Sequence, residues 1–322
     1  MVRELILLRH GKSDWATETD DFHRPLKDRG KRGAQKIGLW LAQNNQVPDY
    51  VLSSPAERAI TTAEKACKVM GFNTQKLAQD ERVYLATPET LMDVIKSCPG
   101  EINRLMVVGH NPGMEMLLSL LTDQPLDIPE DGKLLPTATL AIFRINTTWQ
   151  DLSANQSPLL TLLRARNLAD KFPFPELNSN ELRDRPAYYY YQSSVIPYRV
   201  HKGEMEVLII ASSSGAHWVF PKGIIDPGLS PQQSAAKEAL EEAGVKGRVD
   251  DKLLGEYYAD KWGAQCHVLV YPMEVTQIIP ENKRQEKHRS RKWLSIEQAA
   301  QYIENTELLN MLERLSTRLC KG

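Results

Sequence analysis

Neither sign of charge predominates in this chain. Forty Lys and Arg face 41 Asp and Glu, a formal net charge of −1 over 322 residues. The balance holds in both halves, with 20 basic and 21 acidic residues in 1–170 and 20 of each in 171–322. That excludes bulk electrostatic binding to nucleic acid, so positive charge that matters must be local. Cysteine is also scarce. Cys67, Cys98, Cys266 and Cys320 stand far apart, without a CxxC pair or a zinc-ligand spacing. They read as reduced thiols of a cytoplasmic protein. Long apolar runs are missing too. Leu5-Ile6-Leu7-Leu8, bracketed by Glu4 and Arg9, is too short for a signal core or a membrane span, and no membrane partner is expected. There is no internal repeat and no low-complexity tract.

What remains is a chain of ordinary globular composition, 42% hydrophobic and long enough for two domains. Its first half alternates strand-like and helix-like runs. Glu4–Leu8, Tyr50–Leu52, Leu105–Val108 and Ala138–Ile145 read as strands; Arg32–Gln43, Pro55–Met70 and Gly113–Leu121 read as helices. Such alternation predicts an α/β domain with a parallel-rich sheet covered on both faces. Residues 169–186, rich in proline, asparagine and mixed charge, read as a linker. Beyond it, strands are expected over Tyr188–Val200, Glu206–Ala211, Tyr257–Lys261 and His267–Val275. One helix is expected near 231–243 and another from Ser295 toward Tyr302.

Three polar segments follow predicted strands of the first half: Arg9-His10, Ser53-Ser54-Pro55-Ala56-Glu57-Arg58, and Gly109-His110-Asn111-Pro112-Gly113. Carboxyl ends of strands form the ligand crevice of an open α/β sheet, so Arg9, His10, Arg58 and His110 can converge. Ser54, Pro55 and Glu57 fit a capping box that places Arg58 in a first helical turn. Two arginine forks suit phosphoryl oxygens. One histidine can attack phosphorus while the other donates to its oxygens, with no metal required.

With Leu8-Arg9-His10-Gly11-Lys12-Ser13, Arg24-Pro25-Leu26, Arg29-Gly30, Ser53-Ser54-Pro55, Arg58-Ala59, Thr62-Ala63 and Gly109-His110-Asn111-Pro112, residues 1–168 resemble the histidine phosphatase superfamily, above all its compact SixA-type phosphohistidine phosphatases. The resemblance implies a three-layer α/β/α fold of the phosphoglycerate-mutase kind, His10 as nucleophile, and Arg9, Arg58, His110 and Asn111 around the phosphate. Larger members carry a general acid on an inserted helical segment. Here only about fifty residues separate Arg58 from His110, and Glu89 is the candidate left. A phosphoramidate depends less on such an acid, so the short form leans toward phosphohistidine or another good leaving group.

The second half carries Glu238, Glu241 and Glu242 at i, i+3 and i+4. On a helix they share a face, where a hard divalent cation with oxygen ligands would relieve their repulsion. Ser230, Pro231 and Gln233 signal the helix start and Gly244 its end. Ala235, Ala239 and Ala243 form a stripe suited to packing on a sheet. The stretch from His217-Trp218-Val219-Phe220-Pro221-Lys222-Gly223 to Gly244 resembles the Nudix box, and residues 187–322 a Nudix hydrolase domain, an α+β sandwich. The resemblance implies hydrolysis of a phosphoanhydride with Mg2+ or Mn2+. The metal site would comprise Glu238, Glu241, Glu242 and the Gly223 backbone, with Glu241 catalytic and Lys222 on phosphate. Leu229 stands where the family has glutamate and Lys237 where it has arginine, so the brace those two form is expected to be absent. The nearest branch acts on diphosphoinositol polyphosphates and dinucleoside polyphosphates. The basic run Lys283 to Lys292, with Arg289 and Arg291, could grip such a substrate.

The expectation is a bifunctional phosphohydrolase acting on phosphorylated small molecules or phosphohistidine proteins. Its alternative is a phosphatase regulated by a non-catalytic, ligand-binding Nudix module.

Overall fold

The computed structural model describes residues 2–174 and 181–319. Pro175, Asn178, Ser179 and Asn180 of the expected linker, and Cys320, lie outside the described residues. The chain divides into two compact units, one ending at Phe172 and the next starting at Pro173.

In the first unit the strands are β1 (Arg3–Arg9), β2 (Tyr50–Ser53), β3 (Ala78–Gln79), β4 (Arg104–Gly109), β5 (Thr139–Ile145) and β6 (Leu159–Arg164). They form one sheet in the order β3-β2-β4-β1-β5-β6. β3, β2, β4 and β1 run parallel, and β5 and β6 are antiparallel additions. Alternation sorts β1 into two cores. Ile6 and Leu8 pack with α1 (Asp28–Gln43) and α2 (Glu57–Met70). Leu5 and Leu7 pack with α3 (Pro88–Lys96) and α4 (Gly113–Leu121). Helices therefore cover both faces, and the unit is the expected three-layer α/β/α sandwich. α3 and β6 add to the elements read from the sequence.

The second unit's strands are β7 (Tyr191–His201), β8 (Glu204–Ala211), β9 (Trp218–Val219), β10 (Lys222–Ile224), β11 (Val245–Val249), β12 (Gly255–Lys261), β13 (Ala264–Ile278) and β14 (Arg291–Ser295). The path β9-β8-β7-β13-β11 is flanked by β10 on β7, β12 on β13 and β14 on β8; only β7 and β13 pair in parallel. The turn Lys202-Gly203, with φ of 53° and 84°, closes the β7–β8 hairpin. On one face Ala235, Ala239 and Ala243 lie among Val195, Leu208, Ile210, Tyr271 and Met273. Against the other pack α6 (Ile296–Ala300) and α7 (Thr306–Leu319), through Ala299, Leu308, Met311, Leu312 and Leu315.

Three local expectations change. The helix expected over 231–243 is α-helical only for Pro231–Glu238 (α5), then widens into a π turn over Ala239–Ala243 that Gly244 ends at φ 64°. The four-tyrosine run is not a strand throughout: Ala187–Tyr190 is a 3-10 turn, and Tyr189 and Tyr190 pack with Phe174 and Cys266. Part of the segment read as linker is also packed, since the Arg183 guanidinium lies 3.4 Å over the Phe174 ring and 4.7 Å from Tyr190's. Among the described residues no helix is long and apolar enough to cross a membrane.

Candidate active sites

β1 and β4 are adjacent and parallel, with Arg9 paired to Gly109. The next residue of each strand, His10 and His110, therefore leaves the sheet at the same edge, and their ring centroids are 5.1 Å apart. His10 is 7% exposed, and its Nδ1–H donates to the Gly11 carbonyl at 2.7 Å. A carbonyl only accepts, so this bond assigns the tautomer and leaves the Nε2 lone pair for attack. Burial first, then the charges of Arg58, Arg9 and Arg24, hold the His10 pKa down at about 3, although the Gly11 bond opposes them. The ring is thus neutral at physiological pH, as a nucleophile must be.

His110 is equally dry, and its pKa is lowered to about 3 by burial, then by His10 and Arg58. Its Nε2 lies 2.8 Å from Ser54 Oγ. That hydroxyl oxygen accepts from the Ala56 N–H at 3.3 Å, so its proton is free to donate to Nε2. The other ring nitrogen, Nδ1, is buried without a partner, a polar atom that a ligand would satisfy. The capping box expected at Ser54 is therefore not formed: α2 has Ala56 at its N-cap, and Ser54 holds His110 instead.

Arg58, 2% exposed, sends its guanidinium to the Asp21 carboxylate and carbonyl. Arg9 donates to the Leu135 carbonyl at 2.8 Å. The Thr62 hydroxyl accepts from Gly11 N–H at 2.9 Å and donates to Arg58 O at 2.6 Å, joining the turn after β1 to α2. That turn touches Gly30 so closely that a Cβ there would lie 2.3 Å from the Lys12 carbonyl oxygen. Asn111 spends its amide donors on Glu115 and the Leu135 carbonyl, leaving only an acceptor, so it organises the loop rather than binding phosphate. Glu89 stands exposed at the rim of a 790 Å³ cavity beside Asn111, Pro112 and Glu115. Backbone N–H of its own helix start, then Thr87, hold its carboxyl below the usual range, the opposite of what a general acid needs. Asp21 and Tyr84, which the sequence reading did not single out, meet here: Tyr84 OH donates to Asp21 at 2.8 Å and its ring stands edge-on to His110.

In the second unit β10 brings Gly223 under α5. A Cβ on Gly223 would lie 2.1 Å from the Glu238 carboxylate, so any larger residue there would displace that carboxylate. Burial first, then Glu242 and Glu241, push the Glu238 pKa up to about 7. Glu242, 7% exposed, accepts from Lys222 N–H at 3.0 Å and pairs with Arg289 at 2.8 Å. Glu241 is half-buried. Among the described residues no three His, Cys, Asp or Glu side chains converge tightly enough to hold a metal ion. The donor set still fits one chemically. It is all oxygen, crowded with like charge, and served by one arginine that reaches Glu242.

The brace expected to be missing is present in another form. Lys237 Nζ lies 2.6 Å from Asp226 Oδ2, and the backbone N–H of Asp226, 7% exposed, donates to the Ser234 hydroxyl oxygen. The carboxylate sits three positions before Leu229, so it escaped a position-by-position comparison. The basic run is also redirected. Arg291 donates to the carbonyls of Ala243, Gly244 and Ile279; Arg284 is buried and bonded to Glu281 and the Glu242 carbonyl. Both hold the end of the π turn, and Arg289 is committed to Glu242, so these arginines do not form a polyphosphate grip. Lys222, its pKa lowered by burial, donates to Tyr257 OH at 3.3 Å. It lines a 230 Å³ cavity walled by His217, Trp218, Tyr257 and Tyr302. Lys292 reaches over the Trp218 and Tyr302 rings at 4.4 and 4.7 Å.

The profile of the Histidine phosphatase superfamily (branch 1) matches residues 5–83, and that of the NUDIX domain matches 191–315. An uncharacterized protein of Mycobacterium tuberculosis is 30% identical over 157 residues, 48% of this chain and 96% of that one. Nudix hydrolase 21 of Arabidopsis thaliana, chloroplastic, is 34% identical over 134 residues, 39% of this chain and 66% of that one. Among solved structures, the putative phosphohistidine phosphatase SixA from Agrobacterium tumefaciens is 28% identical, with a TM-score of 0.41 over 50% of this chain and 97% of its own. The chain thus joins a histidine phosphatase superfamily domain to a Nudix domain, and both are hydrolase families.

Proposed function

We propose that the chain is a bifunctional phosphohydrolase. The observation that carries the first half is His10: a buried, neutral imidazole, its Nδ1 fixed on Gly11, ringed by Arg9, Arg58 and His110. Nε2 attacks phosphorus, the leaving group departs, and water hydrolyses the phosphohistidine. Arg9, Arg58 and the unpartnered Nδ1 of His110 stabilise charge on the phosphoryl oxygens. The substrate class is a phosphohistidine protein or a phosphorylated small molecule with a comparably good leaving group. Three buried free thiols, Cys67, Cys98 and Cys266, suit the reducing cytoplasm.

The second half acts as a phosphoanhydride hydrolase. Glu238, Glu241, Glu242 and the Gly223 backbone would hold Mg2+ or Mn2+, with Glu241 catalytic. When bound, the cation would neutralise phosphate charge and activate water. Lys222 positions a phosphate. The aromatic cavity beside Lys222 supports a nucleoside or dinucleoside polyphosphate, whose base can stack there, over a diphosphoinositol phosphate. The Asp226–Lys237 brace favours this catalytic reading over a ligand-binding module.

Phosphorus NMR of the full chain with phosphohistidine peptide, dinucleoside polyphosphates, ADP-ribose and diphosphoinositol phosphates tests both halves. His10→Ala is expected to abolish only the metal-independent release of phosphate, and Glu241→Gln only the metal-dependent cleavage. Tight nucleotide binding without turnover would replace the second activity with a sensing role.

A further inference from the structure

The chemistry assigned above to His10, Arg9, Arg58 and His110 leaves one well-fixed side chain without a task. Asp21 lies in the loop between β1 and α1. Its Oδ2 accepts from Arg58 Nη2 at 2.8 Å and from Tyr84 OH at 2.8 Å, and its Oδ1 lies 2.7 Å from Arg24 Nη2. Its own carbonyl takes the other Arg58 amine. Arg58 and Arg24 are buried, at 2% and 7% exposure, whereas the Asp21 side chain is 43% exposed. The carboxylate is thus held by two buried arginines while its own side chain reaches solvent, and His10 is dry at 7%.

Displacement at phosphorus is in line, so the leaving atom stands opposite the attacking nitrogen. With His10 buried and Arg58 on the phosphoryl oxygens, a leaving atom opposite Nε2 would head for solvent, where the carboxylate paired with Arg58 is exposed. An ester oxygen leaving there gains negative charge against a fixed carboxylate. Asp21 cannot relieve it, because two arginines and a phenol hold it in its anionic form. A phosphoramidate protonated on its leaving group (the nitrogen itself in phosphoramidate, the other ring nitrogen in phosphohistidine) meets the opposite field: it enters positive, donates to the carboxylate, and brings its own proton.

We propose that Asp21 is the specificity-determining residue of the phosphatase site, its anchored carboxylate selecting phosphoramidates with a protonated nitrogen leaving group over phosphate monoesters. The proposal rests on the reading of His10 as nucleophile. The steps balance. The Nε2 lone pair of His10 forms the new N–P bond, the substrate P–N pair stays on the leaving nitrogen, and the leaving group, already protonated, departs neutral. Water then adds to phosphorus, the pair returns to Nε2, and both water protons leave with inorganic phosphate.

The test compares kcat/KM for phosphoramidate and for p-nitrophenyl phosphate across pH, using the full chain as wild type, Asp21→Asn, Asp21→Glu and His10→Ala. The groups facing Asp21 are Arg58, Arg24, Tyr84 and His110, and none of them changes in the Asp21 variants. Asp21→Asn is expected to lower the phosphoramidate-to-ester ratio by about tenfold or more, the size of one lost charged contact. It should also move the alkaline fall of phosphoramidate turnover to lower pH, because the carboxylate no longer favours the protonated nitrogen; Asp21→Glu should recover part of both effects. Equal loss on both substrates with an unmoved pH profile would show that Asp21 only holds Arg58, and would overturn the proposal. Wild type inactive on both substrates, or His10→Ala still active, would instead overturn the nucleophile assignment and Asp21's role with it. Calorimetric phosphate binding by Asp21→Asn separates either result from a collapsed pocket.

Discussion

His10 and His110 store part of the first unit's pH response. Both have folded pKa values of about 3 against an ordinary 6.5, so between those values the unfolded chain binds protons that the folded chain refuses. Stability therefore rises with pH through this window: it is fully present above 6.5 and is lost as pH falls toward 3. Urea titrations at pH 7 and pH 5 are expected to show this loss in wild type and a smaller one in His110→Gln. An equal loss in both would remove His110 from the account. Ser54 offers a second check, because its hydroxyl is the hydrogen-bond partner of His110 Nε2. Ser54→Ala is expected to cost about 1 kcal/mol in stability and to lower kcat more than it raises KM. His10, His110 and the helix-entry Arg58 are legible in the sequence because the histidines directly follow strands and the arginine opens the helix after one. Asp21, Ser54 and Tyr84 are not, because their meaning lies in partners 37, 56 and 63 positions away.

At the scale of elements, the acidic face proposed to hold the cation depends on how α5 ends and on what lies beneath it. The Ala235, Ala239 and Ala243 stripe reads directly as a sheet-packing face and is one. The π turn at Ala239–Ala243 is invisible to periodicity, since it is held by Arg291 and Arg284, 48 and 42 positions from the carbonyls they bond. α7 carried a readable signal in Leu308, Met311, Leu312 and Leu315, a helical spacing absent from the sequence reading. β14 is too short and too charged to announce itself as a strand. The loop under α5 is held by Asp226 and Lys237, with Asp226 dry and Lys237 partly in water. A double-mutant cycle of Asp226→Asn and Lys237→Met is expected to give a coupling of about 1 kcal/mol, and none if the pair is merely adjacent. Gly223→Ala has a sharper effect, because its Cβ would overlap the Glu238 carboxylate. Mn2+ affinity measured by calorimetry should fall at least about tenfold, the scale of a displaced ligand or its support. Unchanged affinity would take Glu238 out of the cation site.

For the whole molecule, each unit carries its own hydrophobic cores and its own candidate site. Ligands should therefore act on the unit that binds them. An oxyanion such as tungstate satisfies donors around His10 but has nothing to offer three carboxylates. Mn2+ does the reverse, since the pocket of Arg9, Arg58 and two neutral histidines repels or ignores it. A ligand at one hundred times its Kd stabilises the folded form by about 2.7 kcal/mol, so amides that exchange only on unfolding of that unit slow by roughly a hundredfold. Hydrogen exchange on the full chain reads this peptide by peptide. Tungstate is expected to slow β1, β4 and α2 while leaving β7, β13 and α5 unchanged, and Mn2+ to do the converse. His10→Ala and Glu241→Gln should each weaken only the matching response. Slowing of both units by one ligand would mean that the two cores unfold together, and the separation of activities by point mutation would then lose its physical basis.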